Sequence, residues 1–207
     1  MNFREAIDEI ILTLMYKGFK PLGFGTTRAV FVKDNLIYKI PLSTYSFRDN
    51  VGEAELYKMS KKGKFTWRDD NGDSRYVIMA KCRLIVINNI PIAVMEKLVP
   101  VEDAEKFDLS IFPWRDHSSY SGDGCQVGRD RNGELKSFDY GHMPRMSRTN
   151  LEHVNEQLKL KCYKYTSKFT SNSYVNEGEL WNLGFTKSIS DLVGGILKEK
   201  GELFAFT

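Results

Sequence analysis

The chain has 207 residues, with 30 Lys and Arg against 27 Asp and Glu, and a net charge of +3 that is too small to imply a nucleic-acid partner. A hydrophobic share of 42%, with 13% aromatic residues, supplies enough apolar material for a core and excludes a disordered chain. No apolar run approaches the roughly 20 residues of a membrane helix, and three scattered cysteines (Cys82, Cys125 and Cys162) without a CxxC exclude a disulfide framework and argue against a structural zinc site. Arg4 is followed by Glu5, Asp8 and Glu9, which is unlike a signal peptide. The expectation is a soluble, cytoplasmic, globular protein with no membrane partner.

The first element reads as a helix. Asn2 is a cap, Glu5 lies three residues on, Phe3, Ile7, Ile10, Ile11, Leu14 and Met15 recur at helical spacing, and Gly18 ends the run. From Lys20 the pattern becomes a hairpin, with a glycine-bearing first strand to Val32, a turn at Lys33-Asp34-Asn35 and a second strand from Leu36 to Pro41. Asp49 or Asn50 is the expected cap of a short helix ending at Ser60. Residues 61–74 are polar, contain Asn71-Gly72 and read as a loop or loose hairpin. Two apolar strands follow, 76–87 and 90–98, joined at Asn88-Asn89.

The composition changes after Pro100. A short acidic helix is expected over 101–107, then an irregular stretch over 110–128, then a hairpin over 125–138 turning at Arg131-Asn132-Gly133. Helices are expected at 150–162, with Leu151, Val154 and Leu158 on one face, and at 188–200. There is no internal repeat and no low-complexity segment. The order gives an α+β fold with a boundary near Pro100, dividing the chain into 1–98 and 99–207.

Singly, the chemistry-bearing motifs are weak. Gly23-x-Gly25 also suits a flexible strand, a strand lysine such as Lys39 is most often a solvated edge residue, a helical Glu53 is ordinarily a surface charge, and Asp139-Tyr140-Gly141 is an ordinary turn. Their order says more. A glycine-bearing strand, a hairpin lysine, a helix with a glutamate, a strand pair ending Met95-Glu96-Lys97-Leu98, and an Asp-Tyr-Gly after a hairpin form an ordered set that resembles the protein-kinase-like fold. The resemblance spans about Pro21 to Gly141 and implies two lobes, a sheet-rich N-lobe and a reduced C-lobe. It further implies that Gly23 and Gly25 cover nucleotide phosphates, that Lys39 contacts them and is held by Glu53 (with Glu55 as substitute), and that Glu96 and Leu98 belong to a hinge meeting an adenine. Asp139, helped by Gln126 or Asp123, would hold Mg²⁺; the implied cofactors are thus ATP and Mg²⁺. Gln126 falls where the family places a metal-binding Asn, and its stem is one methylene longer.

The departures bear on turnover. Arg28 stands where the third glycine of the loop would be. Ser121 occupies the position of the catalytic aspartate, leaving Asp123, or Asp116 further upstream, as its replacement. The stretch from Leu98 to Asp123 is short for the family's second lobe, and no APE-like sequence follows Gly141.

His117, His142 and His153 form no HExxH or His–Cys cluster, there is no GxSxG, and Cys125 near His117 is more commonly an unreactive cysteine than a nucleophile. Lys159, Lys161, Lys164 and Lys168 interleave with Tyr163, Tyr165 and Phe169, the best nucleic-acid-like patch in the chain, although a solvated face or a protein-docking surface suits it better. Three readings follow. The first is a nucleotide-binding, pseudokinase-like interaction protein with weak or absent phosphoryl transfer and a protein partner. The second is an active ATP-dependent phosphotransferase on protein or small-molecule hydroxyls, and the third, least favoured, a nucleic-acid-binding accessory protein. The small size and unusual catalytic loop suit a bacteriophage or bacterial accessory protein.

Overall fold

The computed structural model describes residues 2–24, 27–62, 66–68, 74–76, 78–101, 126–141 and 154–169. Helix α1 (Phe3–Tyr16) starts where the sequence expects it, with the Asn2 side chain accepting from the Arg4 N–H at 3.0 Å. It ends in a Schellman turn. Gly18, at φ +76°, donates to the Met15 carbonyl, and Phe19 donates to that of Leu14.

Strands β1 (Lys20–Phe24), β2 (Arg28–Lys33) and β3 (Leu36–Pro41) form an antiparallel meander. Helix α2 (Phe47–Lys61) follows, then the short pair β4 (Thr66–Arg68) and β5 (Ser74–Tyr76), then β6 (Cys82–Ile87) and β7 (Ile90–Glu96). Both two-residue turns, Asp34-Asn35 and Asn88-Asn89, take positive φ at both positions, the geometry that matches strand twist and that Asn and Asp tolerate best. The main sheet has the order β1-β2-β3-β7-β6, so the strands carrying Lys39 and Met95 are neighbours. A smaller sheet joins β8 (Val99–Pro100), β9 (Val127–Arg129) and β10 (Leu135–Ser137) in the order β10-β9-β8. Helix α3 (Val154–Thr166) packs on α2.

Strand β7 is buried along nearly its whole length because both faces of the sheet are covered. On one face, Ile90, Ile92 and Val94 pack with Ile40 and Phe31 under Phe3, Ile7, Ile10 and Leu14 of α1. Full burial of an aliphatic side chain is worth roughly 1.5–3 kcal/mol, so this apolar stripe is what fixes the helix to the sheet. On the other face, Ala93 and Met95 meet Val51, Ala54 and Leu56 of α2 together with Tyr140, Val154 and Leu158. Phe169 packs edge to face on both Phe3 and Phe47, which are tilted to each other, within the cluster under α1.

Five expectations are revised. The strand expected from Lys20 to Val32 is two, β1 and β2, because the chain folds back so that Phe24 pairs with Ala29 and Lys20 with Val32. Helix α2 begins at Phe47 with Ser46 as N-cap, so neither Asp49 nor Asn50 caps it and Glu53 lies in the second turn, away from the free N–H groups. The strand expected over 76–87 is interrupted, because the backbone of Ile78 and Ala80 bonds Ser137 of β10 instead of a sheet neighbour. The strand expected over 90–98 stops at Glu96; Lys97 donates to Asn35, and Val99–Pro100 moves to β9. Helix α3 runs past Cys162 to Thr166. The helices expected at 101–107 and 188–200 lie outside the described residues. The architecture is α+β, and among the described residues no helix is long and apolar enough to cross a membrane.

Candidate functional site

Cross-strand register places the site residues on one face. Lys39 sits opposite Val30 of β2 and Ala93 of β7, and Arg28 is two residues before Val30, so Arg28, Val30, Ile37 and Lys39 point the same way. They wall a cavity of about 740 Å³ lying between the main sheet and the β8–β10 sheet. Met95 to Leu98 form its rim, and Gln126, Phe138 and Asp139 close it from the second half of the chain. The volume is that of a small-molecule site.

Helix α2 is locked to the sheet by Asn50. Its side-chain amide donates to the carbonyls of Lys39 at 2.8 Å and Pro91 at 2.9 Å, which satisfies two strands at once. Glu53, one turn on, is thereby aimed at Lys39, and their side chains meet at 2.6 Å with Glu53 fully buried. Lys39 also donates to Asp139 at 3.1 Å.

Asp139 adopts φ +56°, a left-handed conformation costly for most L residues. Its neighbours hold it there. Tyr140 is fully buried and donates its hydroxyl to the Ala80 carbonyl at 2.7 Å. Gly141 lies against α2 so closely that a Cβ at Gly52 would come within 2.7 Å of the Gly141 carbonyl oxygen. The Asp-Tyr-Gly segment is therefore clamped between helix and sheet, with the Asp139 carboxylate at the cavity.

Sequence reading missed the role of Arg28. Its guanidinium, 8% exposed, donates to Glu53 at 2.9 Å and to Asp139, with Asn50 at 3.5 Å. The only sequence signal was its standing in place of a loop glycine. Burial pulls the Lys39 ammonium down to about 8 and Arg28 adds to the fall, while Glu53 opposes it. Burial would raise Glu53, yet Arg28 and Lys39 together hold it below the usual carboxylate range. Glu53 Oε2 is buried with no hydrogen-bond partner among the described residues, an arrangement found where a polar cluster serves more than packing.

Glu96 lines the cavity, but its side chain is engaged in structure. It accepts from Lys136 at 3.1 Å and from the Lys81 N–H at 2.7 Å. Leu98 lines the cavity as well. Gly23 needs its lack of a side chain neither for conformation nor for packing, since a Cβ there would meet nothing within 4 Å. Glu55, the substitute partner, faces away and pairs with Lys58 and Lys161. Gly25, Asp116, Ser121, Asp123, Cys125, His117, His142 and His153 lie outside the described residues.

Of the donors expected for magnesium, Asp139 and Gln126 line the cavity and Asp123 lies outside the described residues, and Asp139 itself suits a divalent cation poorly. One oxygen of Asp139 already accepts from two cationic side chains, which repel a divalent cation at the same atom. The Lys159–Phe169 patch is not a single surface: Phe169 is buried, Tyr165 is partly buried, and Tyr163 and Leu160 are exposed. Compared with protein-family models, curated proteins and solved structures, the chain matches none of them.

Proposed function

We propose that the chain is a divergent protein-kinase-like protein whose cavity binds ATP and which acts through contacts with a protein partner, with weak or no phosphoryl transfer. The observation that carries this reading is the convergence of Lys39, Glu53 and Asp139, from a strand, a helix and a turn far apart in sequence, in one cluster at 2.6 and 3.1 Å, with Lys39 and Asp139 at the cavity and Glu53 buried behind Lys39. Support also comes from the order of the elements, with α2 between β3 and β6 in sequence and the 126–141 segment closing the cavity. In this reading the apolar wall of Val30, Ile37, Met95 and Leu98 takes the base, Lys39 takes the phosphates, and Glu53 keeps the Lys39 charge from being stranded in a buried site. Ser121 in place of the catalytic aspartate removes a general base, a group worth typically about 10²- to 10⁴-fold in rate.

Thermal-shift titration with ATP tests binding. Wild type should gain several degrees in Tm at saturating ATP, and Lys39→Met should lose the gain; no gain in wild type, or an undiminished gain in the variant, would refute the site. Transfer of labelled phosphate by wild type, lost in Asp123→Asn, would establish the phosphotransferase instead.

A further inference from the structure

We propose that Arg28 takes the place of a divalent metal in this cavity, so that the nucleotide is bound through Arg28 and Lys39 without Mg²⁺. The inference rests on the nucleotide reading above and deepens it. Three observations carry it.

Arg28 is built in rather than loosely lodged. It is buried, its strand register puts it on the Lys39 face, and its guanidinium is held by Glu53, by Asn50 and by Asp139. Asn50 is itself fixed to two strands, so the partners that orient Arg28 do not swing away. The charges then balance. Arg28 and Lys39 share the carboxylates of Glu53 and Asp139, two cations against two anions, so Asp139 needs no further positive charge. Finally, the cluster borders open space. Arg28, Lys39 and Asp139 all line the cavity, and a planar guanidinium with several N–H donors is well suited to a phosphate. A divalent cation entering at Asp139 would have to displace Arg28 into a buried site that offers only Glu53 in exchange.

The ligand class is a nucleoside di- or triphosphate free of metal. The test is calorimetric titration of ATP into wild type in excess EDTA and in excess Mg²⁺. Wild type should bind equally well in both. Arg28→Gln should lose about 10- to 100-fold in EDTA, the worth of one charge-assisted hydrogen bond, and should recover when Mg²⁺ is supplied to the freed Asp139. Arg28→Lys, which keeps the cation, should retain most of the metal-free binding. Binding by wild type in Mg²⁺ only would overturn the inference and leave the nucleotide reading standing, as would undiminished metal-free binding by Arg28→Gln. Should Arg28→Gln fail to fold, the wild-type comparison decides the matter alone. Absence of binding in both conditions would overturn the nucleotide reading and this inference together.

Discussion

Two buried lysines, Lys39 of β3 and Lys136 of β10, are each covered by carboxylates, and they behave in opposite ways. Lys39 shares its two carboxylates with Arg28 and is pulled down to about 8 by burial, with Arg28 adding to the fall. Lys136 has Asp130 at 2.8 Å, Glu96 at 3.1 Å and Glu134 at 3.4 Å, and although burial works against its charge, these partners push it above the ordinary lysine value. Both side chains are under 10% exposed, so cover alone does not separate them. The difference lies in the count of competing cations and in depth, because Glu134 beside Lys136 is half-exposed whereas Glu53 is sealed. Lys136 has charge compensation to spare and serves as a clamp between the main sheet and the β9–β10 hairpin. Lys39 sits in a balanced cluster but shares both carboxylates with Arg28 in a desolvated site, so its charge is held less firmly than that of Lys136.

The largest effect is expected of Glu53→Ala, which strands Lys39 and Arg28 in a buried site with Asp139 alone. A loss of about 3–5 kcal/mol is expected in urea unfolding, and a loss under 1 kcal/mol would mean that Glu53 does not compensate the two buried cations. Lys136→Met should cost less, about 1 kcal/mol, because Glu134 is open to water and Asp130 and Glu96 keep backbone N–H donors when the lysine is lost. ATP should still raise the Tm of that variant. Equal losses from the two substitutions would erase the distinction.

A smaller effect, the pH dependence, also separates the two lysines. Lys39 loses its proton near pH 8 in the folded chain, so its charged fraction falls roughly fivefold from pH 8 to 9 and ATP affinity should fall in step. Stability moves the other way there. Between about 8 and the unfolded value the unfolded chain holds the extra proton, so the Lys39 contribution rises with pH. Lys136, raised instead, contributes fully below its unfolded value of about 10.4 and loses that contribution only above it. Calorimetry from pH 7 to 9 that found flat ATP affinity would show that the Lys39 charge is not what holds the nucleotide.

Helix α1 was legible from the sequence because its signals are local: a capping Asn2, apolar residues at helical spacing and Gly18. So were the two hairpin turns, since Asp34-Asn35 and Asn88-Asn89 tolerate positive φ. The α+β class could be read from element order, whereas the pairing of Lys39 with Glu53 was implied only by the kinase-like resemblance, with Glu55 as the substitute that the structure turns away. What only the tertiary structure decided depends on partners distant in the chain. Asn50 looked like a cap because amides cap helices, yet two carbonyls from separate strands claim it, which moves the helix start to Phe47. Arg28 looked like a lapse in a glycine loop, and its meaning appears only when antiparallel register sets it beside Lys39 and the fold brings Glu53 and Asp139 to it. Local spacing determines helices and turns because hydrogen bonds and dihedral preferences act over a few residues. The charge on a buried site depends on which distant groups share it, and chain folding alone sets that.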